Sequence, residues 1–366
     1  MAGGKWQQMG KVAAALAGAA AAALWVAPGG ARAAGDAPER LSGTGLFTDA
    51  AHGVVAPGVL RYTPQYPLWS DGAAKARWIR LPAGKAIDAS DPDAWRFPPG
   101  TRLWKEFSFG GRRVETRYMV LGRDGAWTYA TYRWLPDGSD AERAPERGLR
   151  GAAEVAPGVG HDLPAAGDCR ACHEGAPTPV LGFSALQLSP DRDPLAPHAE
   201  PPAPGDVDLP ALARTGRLRG LPADLLARPP RIAAPSPRAR AALGYLHANC
   251  ASCHDARGTL ASLGLDLAQR VRGGDARAPL ATAVGQPSRA RPPGMGDAPL
   301  RIAAGDPGAS VLVRRMGSRD PLLQMPPFGT KLADAQALDL VAAFVRDDLG
   351  PATTHPAAPD HQEKNR

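Results

Sequence analysis

All four cysteines of this 366-residue chain fall in two Cys-x-x-Cys-His frames, Cys169-Arg-Ala-Cys172-His173 and Cys250-Ala-Ser-Cys253-His254. No other feature restricts the possible folds as much. Two thiols separated by two residues reach the two vinyl groups on one side of a porphyrin and form thioethers. The histidine that follows then stands over the iron as proximal ligand. The frames predict two c-type haems, one held by Cys169, Cys172 and His173, the other by Cys250, Cys253 and His254. Two disulfides would leave both histidines unexplained. A zinc site would require the two halves to meet across a proline-rich stretch.

The N-terminus reads as a secretory leader over residues 1–33. Lys5 and Lys11 precede the apolar run Val12–Val26, and Ala31-Arg32-Ala33 supplies small residues where a signal peptidase cuts. Fifteen apolar residues fall short of the roughly twenty that span a bilayer, so the pattern predicts cleavage and export to the periplasm without an integral span. The formal charge is +7, but Lys5, Lys11 and Arg32 leave with the leader and haem propionates offset most of the rest. No basic run with interleaved aromatics points to nucleic acid.

Six of the eight tryptophans lie between Trp69 and Trp134, within alternating segments that read as strands. Ala76–Leu81 stops at Pro82-Ala-Gly84, and Arg102–Phe107 stops at Gly110-Gly111. In Arg113–Leu135, Val114, Thr116, Tyr118 and Val120 share a face, Asp124-Gly125 turns, and Thr128, Ala130, Tyr132 and Trp134 return as a hairpin. Residues 40–150 are therefore expected to form a β-sandwich. Residues 151–235 hold the first frame and a spacer. Twelve prolines between Pro190 and Pro237 leave room only for short helical turns at Leu209–Leu218 and Pro222–Ala227.

Residues 236–350 read as helical. Ser236 caps and Pro237 opens a helix whose Ala239, Ala242, Leu243, Leu246 and Cys250 share one face. Asp334 caps a second, running to Leu349, with Ala337, Leu340, Val341, Phe344 and Val345 as its stripe. The expected fold class is α+β: an N-terminal β-sandwich-like domain followed by a mainly α-helical cytochrome c domain, with a polar disordered tail over 351–366.

Met325, ahead of two prolines and the last helix, is the expected sixth ligand of the second haem, since a thioether stabilises Fe(II). The first frame has no methionine between His173 and Met295. Its distal candidates are His52, His161, His198, His247, Met119, Met295 and Met316. His247 lies one helical turn before Cys250, which would bring the haems together. Met316 and an open or water-bound position are the other readings.

Leu41-Ser-Gly-Thr-Gly-Leu-Phe47, Tyr66-Pro-Leu-Trp-Ser-Asp71, Arg77-Trp-Ile-Arg-Leu-Pro82 and Val114-Glu-Thr-Arg117 resemble the N-terminal, β-rich domain of a family of bacterial exported dihaem c-type cytochromes. Val180-Leu-Gly-Phe-Ser184 with Gln187-Leu188 is similar too, as are Gly244–Cys250, Arg315-Met316 and Met325-Pro-Pro-Phe-Gly-Thr330. The likeness covers about residues 40–350. It implies haem binding and electron transfer, with no defined substrate. Met119 stands where that family more often has an aliphatic residue, which argues against it as a ligand.

These readings predict a periplasmic carrier that passes single electrons between redox partner proteins. Two alternatives remain. One is a peroxidase-like dihaem oxidoreductase with an open first haem, although the 81 residues from Cys169 to Cys250 are fewer than such enzymes normally place between their frames. The other is a carrier whose tryptophan-rich domain binds carbohydrate. No nucleophile elbow, zinc-protease motif or nucleotide-binding glycine loop is present.

Overall fold

The computed structural model describes residues 37–272 and 277–350. The leader expected over 1–33 and the tail expected over 351–366 lie outside the described residues.

Short strands β1 (Phe47–Asp49) and β2 (Val54–Val55) pair with each other ahead of the main sheet. The sheet begins with β3 (Leu60–Arg61) and β4 (Ala74–Arg80). β5 (Ile87–Asp88) lies apart from it. The main sheet continues with β6 (Arg102–Phe109), β7 (Arg112–Leu121), β8 (Trp127–Trp134) and β9 (Ala141–Arg143). Its six strands run antiparallel in the order β3-β4-β6-β7-β8-β9. The expected hairpin is β7–β8, with Thr116 opposite Tyr132 and Tyr118 opposite Ala130. A second hairpin, β10 (Leu149–Ala156) with β11 (Val159–Leu163), leads into α1 (Ala166–His173).

Two short helices, α2 (Leu209–Arg214) and α3 (Asp224–Ala227), interrupt the proline-rich stretch, and β12 (Leu218–Arg219) between them pairs with β5. The C-terminal part carries α4 (Pro237–Cys250), α5 (Arg277–Ala281), α6 (Val311–Met316) and α7 (Ala335–Ala343). Ser236 Oγ accepts from the Ala239 N–H at 3.0 Å, and Asp334 Oδ1 accepts from Ala337 at 3.1 Å, so both expected caps form. After Ala343 the last helix widens into a π-turn over Phe344–Asp348.

The expected fold class is corrected on both counts. Strands account for 22% and helices for 20% of the chain, so this is not a molecule with a mainly α-helical cytochrome c domain. The caps of α4 and α7 form as expected, but most of the chain between them is loop. Pro287, Pro292, Pro293, Pro299, Pro307, Pro321, Pro326 and Pro327 stop helices there by removing amide donors. Nor is the β-rich part a sandwich. Alternation along a strand shows that it has two different faces and says nothing of what covers them. On one face Trp78, Trp104, Tyr118, Tyr132 and Trp134 pack on Leu41, Leu46 and Phe47. On the other, Ile79, Leu103 and Met119 pack on Phe183, Leu188, Leu209 and Leu212. The covering layers are the β1–β2 ribbon, loops and short helices rather than a second large sheet. Burial of Trp78, Trp95, Trp104 and Trp134 also removes most of the stacking platforms that the carbohydrate reading required.

In the C-terminal part, α4 packs Ala239, Ala242, Leu243 and Leu246 against Ala337, Val341, Phe344 and Val345. Each buried Leu or Phe of such a seam contributes roughly 1.5–3 kcal/mol. The strap Tyr66–Asp71 fastens the sheet to this layer. The Tyr66 ring lies so close to α4 that a Cβ at Gly244 would stand 2.0 Å from it, so only glycine fits there. Asn249 Oδ1 accepts from the Trp69 N–H at 2.7 Å, and Trp69 Nε1 donates to Leu332 O at 3.2 Å. Asp71 Oδ1 accepts from the N–H groups of Lys331 and Leu332 at 2.8 and 2.9 Å. The strap thus positions both the helix ending in Cys250 and the loop that follows Met325. Among the described residues no helix is long and apolar enough to cross a membrane.

Candidate functional site

Both Cys-x-x-Cys-His frames open onto one cavity of about 1010 Å³, at the upper end of the roughly 300–1,000 Å³ usual for ligand pockets. Cys169, Cys172, His173, Cys250, Cys253 and His254 all line it, together with Met316 and Met325. The four cysteines are free thiols.

The first frame lies on α1, which packs on β8 and sets the His173 ring 5.6 Å from that of Tyr129. His173 Nδ1 lies 2.6 Å from Pro179 O. A carbonyl cannot donate, so Nδ1 carries the proton and Nε2 keeps its lone pair for a metal. Burial pushes His173 down to about 4, which keeps the ring neutral at physiological pH. These features fit a proximal ligand. The second frame occupies the end of α4 and the turn after it. His254 Nδ1 is buried and without a hydrogen-bond partner, and burial lowers its pKa as well.

The proline-rich stretch does not keep the frames apart. Thr259 N–H donates to Gly175 O at 3.0 Å, and a Cβ on Gly175 would come within 3.0 Å of Ser252 O. Burial pushes the Cys172 thiol up to about 11, with the Cys253 thiol adding to the rise. Among the described residues no three of His, Cys, Asp and Glu converge as a metal cage. Four free thiols in two pairs, each followed by histidine, suit two thioether-linked macrocycles.

The Met325 side chain reaches the cavity from a loop tied at several points. Its N–H donates to Arg315 O at 3.0 Å, and Arg319 Nη2 reaches Met316 O and Met325 O at 2.6 and 3.4 Å. The other distal candidates sort by whether a donor atom is free. His52 is exposed and bonded to Asp49. His198 Nε2 is held by both oxygens of Asp334 at 2.9 Å. His247 lines the cavity, but its Nδ1 accepts from the Gln269 N–H at 3.2 Å. The neutral ring then carries its proton on Nε2, leaving no lone pair for iron. Met295 is not on the cavity wall, whereas Met119 and Met316 are.

His161 is the centre of a buried charge network. Its Nε2 lies 2.9 Å from Glu115 Oε1, and its Nδ1 lies 4.0 Å from Asp71 Oδ2. Glu115 in turn receives Arg117, whose Nη2 is 2.7 Å away. Burial lowers the His161 pKa, but the carboxylates of Asp71 and Glu115 outweigh it and leave the ring above its usual 6.5. Burial raises Glu115, yet Arg117 and His161 together hold it below its usual 4.5. With its ring nitrogens turned to the carboxylates of Glu115 and Asp71, His161 is held in this network rather than offered to the cavity as a ligand.

Sequence reasoning missed the cations on the cavity face of the sheet. Arg77, Lys105 and Arg117 stand opposite one another on β4, β6 and β7, and all line the cavity. The available signal was their placement at strand positions that share a face with Ile79, Leu103 and Met119. Comparison with protein-family models, curated proteins and solved structures returns no match to this chain.

Proposed function

We propose that the chain is an exported, periplasmic dihaem c-type cytochrome that transfers single electrons between redox partner proteins. The observation that carries the reading is the convergence of both frames on one large cavity, with the His173 tautomer fixed by Pro179 O. Cys169, Cys172 and His173 would hold one haem, and Cys250, Cys253 and His254 the other. When bound, such an iron takes up or gives away one electron at a time. The residues of this chain orient the His173 ring, line much of the cavity with apolar side chains and keep the Met325 thioether on a tethered loop. Export rests on the leader pattern of residues 1–33, and the partners are proteins able to approach the cavity rim.

A carrier needs little ligand rearrangement, so both irons are expected to be six-coordinate and low-spin in the oxidised and the half-reduced protein. Paramagnetic resonance with a peroxide-turnover assay checks this. A high-spin signal after one-electron reduction, with turnover well above that of free haem, would replace the carrier by the peroxidase-like reading.

A further inference from the structure

We propose that the row Arg77–Lys105–Arg117 is a carboxylate-binding site facing the first Cys-x-x-Cys-His frame. The inference rests on the dihaem reading only for the source of one of its two candidate carboxylates. Arg77 pairs in register with Lys105, and Lys105 with Arg117, so three cations stand side by side on adjacent strands. Like charges placed directly opposite in a sheet repel, and anions that meet the row relieve that cost. The protein supplies too few. Arg117 is satisfied by Glu115. Arg77, only 4% exposed, lies 3.6 Å from Glu200, but its Nη2 has no hydrogen-bond partner. Lys105 lies 5.0 Å from the centre of the Phe107 ring, and among the described residues it has no carboxylate partner.

The unsatisfied donors belong to the middle and one end of the row, and their side chains line the cavity. Arg117 lies on β7, which pairs with β8, the strand on which α1 and the first frame pack. A buried guanidinium beside an ammonium offers two or three charge-assisted donors, which suits a planar carboxylate. That carboxylate is either a propionate of the first haem or a free small carboxylate admitted beside it.

Lys105→Gln, with Lys105→Arg as the conservative control, separates the two sources. In the holoprotein a propionate source predicts that Lys105→Gln lowers one midpoint potential and spares the other. Removing a cation near an iron favours its more positive oxidised state. Lys105→Arg restores most of the loss, and succinate has no saturable effect on the wild type. A free-carboxylate source predicts instead that succinate raises the wild-type melting temperature saturably, and that Lys105→Gln abolishes the rise. Unchanged potentials together with no response to succinate would overturn the site. A pyridine haemochrome assay on the same samples distinguishes that failure from failure of the dihaem reading. Fewer than two haems per wild-type chain would sink the latter, while the melting response to succinate still decides the site.

Discussion

Glu115→Ala is expected to destabilise the protein by about 3–5 kcal/mol, the usual cost of removing one partner from a buried ion pair. Glu115 is fully buried, and its carboxylate serves Arg117 and His161 at once. Its loss leaves a guanidinium and an imidazolium facing each other across the gap. Such a loss corresponds to a fall of roughly 6–10 °C in melting temperature for a chain of this size. The pH dependence follows from the two shifts. Glu115 is held below 4.5, so its contribution is present above that value and fades as pH falls through its lowered folded pKa. His161 is held above 6.5, so its contribution is complete below that value and fades as pH rises through its raised folded pKa. The difference between wild type and variant should be greatest between pH 4.5 and 6.5. Thermal melts across pH check this, and a loss below about 2 °C at every pH would remove the network from the stability account.

Met325→Ala is expected to abolish the long-wavelength sulfur-to-iron charge-transfer band and to lower one of two midpoint potentials. Replacing a soft thioether by water or a harder ligand removes stabilisation of Fe(II). The shift should be on the order of 0.1 V or more, within the roughly 0.8 V that axial ligation commands. The fold should survive, because the loop is held through backbone groups. Arg315 O and Arg319 grip its peptide units, and Asp71 fixes Lys331 and Leu332. Met316, a distal candidate for the first haem, also lines the cavity, so Met316→Ala is expected to leave the potential that depends on Met325 in place. If Met325→Ala left the band and both potentials intact, the assignment of Met325 would be wrong.

Local features of the fold were legible where a short-range rule governs them. Ser236 with Pro237, and Asp334, marked the helix starts because capping needs only a side-chain oxygen three residues ahead of an amide. Asp124-Gly125 marked the β7–β8 hairpin for a similarly local reason, with Gly125 adopting φ +83°. What covers each sheet face was not legible, because residues far away in sequence decide it: Leu41 and Phe47 on one side, Phe183 and Leu209 on the other. Helical texture around α4 and α7 was extended too far into a proline-rich loop.

The candidate site divides in the same way. The two frames are visible as spacing, but that Gly175 O receives the Thr259 N–H and joins them is a tertiary fact. His247 looked like a ligand from its place one turn before Cys250. Its hydrogen bond from Gln269, 22 residues on, could not be read from that spacing. The cation row was hidden because charges on strands are usually taken as solvent-facing, and only the registers of β4, β6 and β7 place Arg77, Lys105 and Arg117 together.

The central claim, two covalent haems on one chain, is tested most directly by the intact mass of the protein. It should be produced in a host that attaches c-type haems and measured under denaturing conditions that strip any non-covalent group. The predicted result is a single species heavier than the mature polypeptide by two haems, and by one fully attached haem in Cys253→Ala. A wild-type mass equal to the bare polypeptide, or to the polypeptide with one haem, would contradict it.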